Sequence, residues 1–175
     1  MPSLSVCLLL DDAAARAVRR LWRQLAEDGV PSLATYTHGR HVPHLTLASL
    51  GTSDVEAVLP VLAPVPREQP AQLRFEALGA FTRSRCSLVP IVSPELLVTQ
   101  QRVVEALGSA GLPVQRHYLP GDWLPHLTLT PRIPVELLSV VAQRVYEVLP
   151  FTATATRTVV VDTGTGDVHP LESSR

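Results

Sequence analysis

Pro43-His44-Leu45-Thr46-Leu47 recurs, letter for letter, as Pro125-His126-Leu127-Thr128-Leu129. For this composition a second copy of the string arises by chance on the order of one time in a thousand, so an internal duplication with one copy per half explains it better. Alternate residues of a strand face the same way. His44 and Thr46 therefore share one face while Leu45 and Leu47 share the other, and His126 and Thr128 are set against Leu127 and Leu129 in the same manner. Each strand offers two leucines to a core and one imidazole and one hydroxyl to a groove.

Two such strands facing each other across a pseudo-twofold groove would surround one centre with two imidazoles and two hydroxyls, and a phosphate fits that centre. A neutral imidazole can take a proton from an attacking water while an imidazolium gives one to the departing oxygen. Hydroxyls can donate hydrogen bonds to nonbridging oxygens as charge develops on them. A single histidine on a strand is more often structural than catalytic. The identical second copy reverses that balance.

Working outward, Val6 to Leu10 reads as a first strand: it is short, lacks a basic flank and runs into Asp11 and Asp12, unlike a signal peptide. Ala14, Ala17, Val18, Leu21, Trp22 and Leu25 then recur at helical spacing, with Asp11 or Asp12 as N-cap and Gly29 at the stop. Ser53 and Glu56 form a capping-box pattern ahead of a second helix that Pro60 should kink or shorten. Ser93 and Pro94 open a third helix, and Pro134 a fourth through Leu138, Val141, Val145 and Leu149. Strands are predicted around residues 33 to 37, 44 to 50, 72 to 81, 86 to 92, 126 to 130 and 151 to 161. The class is α+β, and the Pro-rich stretch from Pro60 to Pro70 is the expected crossing between halves.

The length of 175 residues suits one domain, 1–175, and is too short for two full-sized ones. With 46% hydrophobic and 18% charged residues the chain is an ordinary globular one, expected to fold without an obligate protein partner. A net charge of -1 argues against a broad basic face for duplex nucleic acid and leaves small or terminal phosphates. All 15 fixed positive charges are arginines, whose planar fork suits phosphate, although GC-rich coding accounts for that bias as well. Cys7 and Cys86 have no ligand spacing and are expected as buried free thiols. No apolar run approaches the roughly 20 residues of a membrane span, so a soluble, cytoplasmic protein is expected.

The two HxTx motifs resemble those of the 2H phosphoesterases, in particular the bacterial 2′-5′ RNA ligase-like and cyclic phosphodiesterase branch. The resemblance covers nearly the whole chain, with Leu50-Gly51 similar to the family's strand ending and Val159 to Leu171 to its closing hairpin. It implies a bilobal fold, with antiparallel sheets lining a central groove and helices packed outside. It also implies His44 and His126 as the catalytic pair without metal or cofactor, Thr46 and Thr128 as substrate contacts, and a 2′,3′-cyclic phosphate of a nucleotide or RNA end as substrate, opened to a 2′-phosphate. Ligation through a 2′-5′ bond, hydrolysis of a cyclic oligonucleotide and a non-catalytic RNA-end binding module are the competing readings. The family's arginine after the second motif has its nearest counterpart in Arg132, one position late. An uninterrupted strand would put Arg132 on the face of His126, Thr128 and Thr130, provided Pro131 does not break it.

Other residues invite weaker readings. His38, His41 and His44 fall three apart, but Gly39 and Pro43 oppose the helix that would align them on a metal. Tyr36, Tyr118 and Trp123 flank the motifs and suit either base stacking or packing. His117 and His169 are expected at the surface.

Overall fold

The computed structural model describes residues 3–65, 72–82 and 85–171. Strand β1, Leu4–Leu10, leads into helix α1, Asp12–Glu27. Of the two candidate caps Asp11 is the one used: Oδ1 accepts from Ala14 N at 2.9 Å, and Oδ2 accepts from Thr154 N at 2.7 Å. These backbone N–H donors hold the Asp11 carboxyl below its usual value and pin the start of α1 to the sheet. Gly29, at φ +78°, ends the helix in a conformation that costs glycine little.

The predicted strand over 33 to 37 is a set of turns instead. Leu33 N still reaches Leu129 O, but Thr37 and Gly39 take φ of +49° and +67°, which an extended strand does not allow. The first motif follows as β2, His44–Leu50. Helix α2, Val55–Leu62, is capped by Asp54 rather than Ser53, because it is the Asp54 carboxylate that accepts from Ala57 N. Pro60 lies inside that helix, which lasts only 8 residues. Strand β3 is Gln72–Phe81, so the Pro66 to Pro70 part of the expected crossing lies outside the described residues.

The chain continues through β4, Arg85–Pro90, and α3, Pro94–Ser109, which Ser93 caps with Pro94 in its first turn. The second motif forms only a two-residue strand, β5, Leu127–Thr128. A 3-10 turn over Val135–Leu137 opens α4, Leu138–Tyr146, and β6, Phe151–Asp162, and β7, Val168–Pro170, close the chain as a hairpin.

The protein is α+β. Its strands form one antiparallel sheet in the order β2-β1-β6-β3-β4-β5, with β7 on β6. Exchanging β1, β2 and β3 for β4, β5 and β6 turns this order into its own reverse. The same exchange interchanges the helix pairs in contact, α1 with α4 and α2 with α3. At its centre Phe75 of β3 pairs with Phe151 of β6, their rings 5.6 Å apart. The motif strands lie at the two ends of the sheet order yet touch each other, so the sheet is curled. Leu45, Leu47, Leu127 and Leu129 are fully buried in the core under the helices. At about 25 cal/mol per Å² of apolar surface, each such leucine supplies roughly 1.5–3 kcal/mol toward keeping its strand in this register.

Candidate active site

Both motifs show one burial pattern: Pro, Leu and Leu are buried, while His and Thr are half-buried. Residues paired across antiparallel strands share a face. His44 pairs with Leu9 and Thr46 with Cys7, and Leu9 and Cys7 in turn pair with Arg157 and Val159 of β6. Leu9, Cys7, Val159 and Val161 form a small apolar cluster separate from the main core. The first His–Thr pair thus stands on an apolar floor on the side of the sheet away from the helices. Thr128 pairs with Ser87, which pairs with Gly79, and this row begins the corresponding floor of the second half.

The two imidazoles are held alike. His44 Nδ1 lies 2.7 Å from the carbonyl of Val42, and His126 Nδ1 lies 2.8 Å from that of Leu124, in each case two residues back. A carbonyl can only accept, so Nδ1 carries the hydrogen and Nε2 is left with its lone pair in the neutral ring. Burial holds both histidines below their usual pKa, and the carbonyls partly offset this by favouring the charged form. His126 is lowered further by the positive charges of His44 and Arg85. A positive charge on His44 therefore opposes the protonation of His126. A bound anion between them would relieve that opposition.

The hydroxyls differ. Thr46 Oγ1 lies 3.8 Å from Cys7 Sγ, and the Tyr118 hydroxyl approaches it. Burial pushes the Cys7 thiol up to about 12 and raises the Tyr118 phenol, so both stay neutral donors at ordinary pH. The Thr128 hydroxyl has no hydrogen-bond partner among the described residues. The main chain at both threonines is fastened by indoles: Trp123 Nε1 donates to Thr46 O at 3.0 Å, and Trp22 Nε1 donates to Thr128 O at 3.1 Å.

The strand geometry expected to carry Arg132 does not continue. β5 stops at Thr128, and Leu129 N and Thr130 N both donate to Cys86 O, which breaks the alternation. Thr130 is fully buried, its hydroxyl accepting from Cys86 N at 3.0 Å, and Arg132 stands exposed beyond buried Pro131. The arginine whose charge reaches His126 and Tyr118 is Arg85, at the start of β4. It lies far from either motif in the chain, and only its alternation with buried Cys86 marks it in the sequence. Arg157, two strands from His44 on the same face, is likewise remote from both motifs in the chain. Neither arginine makes an ion pair among the described residues.

Of the stacking candidates, Trp123 is committed to Thr46 and Tyr118 is half-buried beside it. Tyr36 is 45% exposed and stacks on His41. His38 turns toward Gly166 in the β6–β7 hairpin, where a Cβ would lie 2.5 Å from its ring, and its own ring is 4.2 Å from that of His41. Among the described residues no three His, Cys, Asp or Glu side chains are placed to hold a metal ion. His117 is exposed in a 3-10 turn, and His169 pairs with Val160 on β7. Cys7 and Cys86 are buried free thiols. No helix among the described residues is long and apolar enough to cross a membrane.

The fold is that of several solved proteins. E. coli LigT complexed with 3′-AMP superposes with a TM-score of 0.63 at 18% identity, over 98% of this chain and 97% of that one. LigT complexed with NADP+ gives 0.62 at 18% identity, covering 98% and 95%, and a structure described as a phosphoesterase gives 0.62 at 20% identity over the same shares. No curated protein matches the chain in sequence. The family model for the 2′-5′ RNA ligase superfamily matches residues 10–167, a span that includes both motifs, and the chain belongs to that superfamily of 2H phosphoesterases.

Proposed function

We propose that this protein is a metal-independent phosphodiesterase that opens 2′,3′-cyclic phosphates of nucleotides or RNA ends to 2′-phosphates, with His44 and His126 as its acid–base pair. The observation that carries the reading is the matched pair of imidazoles, each with Nδ1 tied to the carbonyl two residues back and Nε2 left for proton transfer. In the proposed step one neutral imidazole accepts a proton from water as its oxygen bonds to phosphorus, and the P–O3′ bond breaks. The other imidazole, entering as imidazolium, protonates O3′. Two side chains supply both transfers, so the step calls for no Lewis acid.

Thr46 and Thr128 donate to the nonbridging oxygens in this reading, and Arg132 and Arg85 are the candidate guanidinium contacts. The chain acts as one domain made of two related lobes, each bringing one motif to the shared phosphate. E. coli LigT, which has the same fold, has been crystallised with 3′-AMP, NADP+ and ATP, and that supports a nucleotide as the ligand class.

The test is chromatography of products from 2′,3′-cyclic nucleotides, with and without EDTA, for the wild type, His44→Ala and His126→Ala. A 2′-phosphate made in EDTA by the wild type and at least about a hundredfold more slowly by either variant is expected. Exclusive 3′-phosphate would refute the choice of bond. Full activity in either folded variant would refute the pair.

A further inference from the structure

Phe81 closes β3 on the groove side of the sheet, and it belongs to neither of the two apolar clusters found among the described residues. Its ring is half-buried, with its centroid 4.8 Å from that of His126. Space for the ring comes from Gly79, two residues earlier on the same face: a Cβ there would lie 2.9 Å from Phe81 Cε2 and 2.8 Å from Val89 Cγ2. Gly79 pairs with Ser87 inside the sheet and lacks the positive φ that calls for glycine on backbone grounds. What this position requires is the absence of a side chain.

A large apolar ring set outside the core on a bare strand position, beside His126, offers a flat surface suited to another aromatic group. The other aromatic groups near the histidines are engaged: Trp22 and Trp123 brace the motif carbonyls, Tyr118 lies by Thr46, and Tyr36 stacks on His41. Arg85 pairs directly with Phe81 across the strands, which sets a cation beside the ring. A flat aromatic group and an anion are the two ends of one nucleotide.

We infer that Phe81, held over Gly79, is the platform on which the nucleobase of the substrate stacks, next to His126. The inference rests on the proposed binding of a phosphate between His44 and His126, and it narrows the substrate class. A phenyl face has no hydrogen-bonding groups, so the site accepts any base, requires a base, and favours purines for their larger face. Cyclic phosphates of a base-free sugar or of glycerol fall outside the class.

The test compares two product-like ligands by calorimetry, adenosine 2′-monophosphate and the 2-phosphate of methyl riboside, which lacks the base. The proteins are the wild type, Phe81→Leu, Phe81→Trp and Gly79→Ala, each checked for fold by circular dichroism. Stacking on an aromatic side chain predicts that the wild type prefers the adenosine ligand by about 5- to 150-fold. The ratio should collapse in Phe81→Leu, fall in Gly79→Ala, where the new methyl displaces the ring, and persist in Phe81→Trp. An unchanged ratio in Phe81→Leu overturns the platform. So does an equal loss for both ligands, which would mean that the ring only positions His126, and so does a wild type without preference. Turnover of 2′,3′-cyclic AMP is followed in parallel. A Phe81-dependent ratio without turnover would leave the platform standing and remove the hydrolytic reading instead.

Discussion

Trp22 in α1 and Thr128 in β5, 106 residues apart in the chain, are joined by a hydrogen bond from the indole Nε1–H to the threonine carbonyl at 3.1 Å. Trp123, just before the second motif, makes the converse link to the carbonyl of Thr46 in the first. Each motif is therefore gripped by an indole from the opposite half of the chain, and the two grips together restrain the spacing of the histidines. Trp22 is 2% exposed and Thr128 half-buried, so Trp22→Phe leaves a partly buried carbonyl without its indole partner. A loss of about 1–3 kcal/mol is expected in urea unfolding, with kcat falling more than the binding of product. Unchanged stability would show that water replaces the indole.

The hydrogen bonds at Nδ1 predict the tautomers. Above pH 8 both His44 and His126 should be protonated at Nδ1 and bare at Nε2. Nitrogen-15 NMR of the imidazoles reads this directly. An Nε2–H tautomer at either residue would contradict the geometry.

Burial lowers both motif histidines, and His41 with them, which sets the sign of two pH effects. Below about 6.5 the unfolded chain binds more protons than the folded one, so this stability is complete above that pH and is lost as pH falls toward the lowered folded values. Unfolding between pH 7 and 5 should show the decline, and His44→Gln should flatten it. The kcat/KM profile, a property of the coupled pair, should be a bell centred below 6.5. An optimum above pH 7 with chemistry rate-limiting would count against it.

Arg85 lowers His126 through its charge, whereas Arg132 lies beyond the end of β5. Arg85→Ala should raise KM about tenfold and move the bell to higher pH. Arg132→Ala should leave the position of the bell in place and cost less. The reverse ranking in steady-state kinetics would return the phosphate contact to Arg132.

The two threonines should also separate. The hydroxyl of Thr128 is unpartnered among the described residues, while that of Thr46 lies near Cys7 and Tyr118. Thr128→Val should lower kcat by about ten- to a hundredfold and leave thermal unfolding unchanged, whereas Thr46→Val should lower both. Equal melting temperatures in the two variants would dispose of this difference.

Most of the fold was legible because its signals are local. Asp11, Ser93 and Gly29 mark helix ends through hydrogen bonds and dihedrals within one turn, and alternation along β2 needs only the chirality of the strand. A local pattern misleads where it has a competitor nearby. Asp54 displaced Ser53 as a cap, and the positive φ of Thr37 and Gly39 turned an expected strand into a loop.

By itself the sequence determined the α+β class, the repeated motif and the division of each copy into buried leucines and half-buried His and Thr, since period and propensity are properties of consecutive residues. Only the tertiary structure decided what surrounds the histidines. Phe81 and Gly79 from β3, Arg85 from β4, and the crossed indoles of Trp22 and Trp123 reach the motifs through strand register and sheet curl. Arg132 lost its expected place through a single break in alternation at Leu129 and Thr130. Register and curl are set by long-range packing, and no short stretch of sequence carries them.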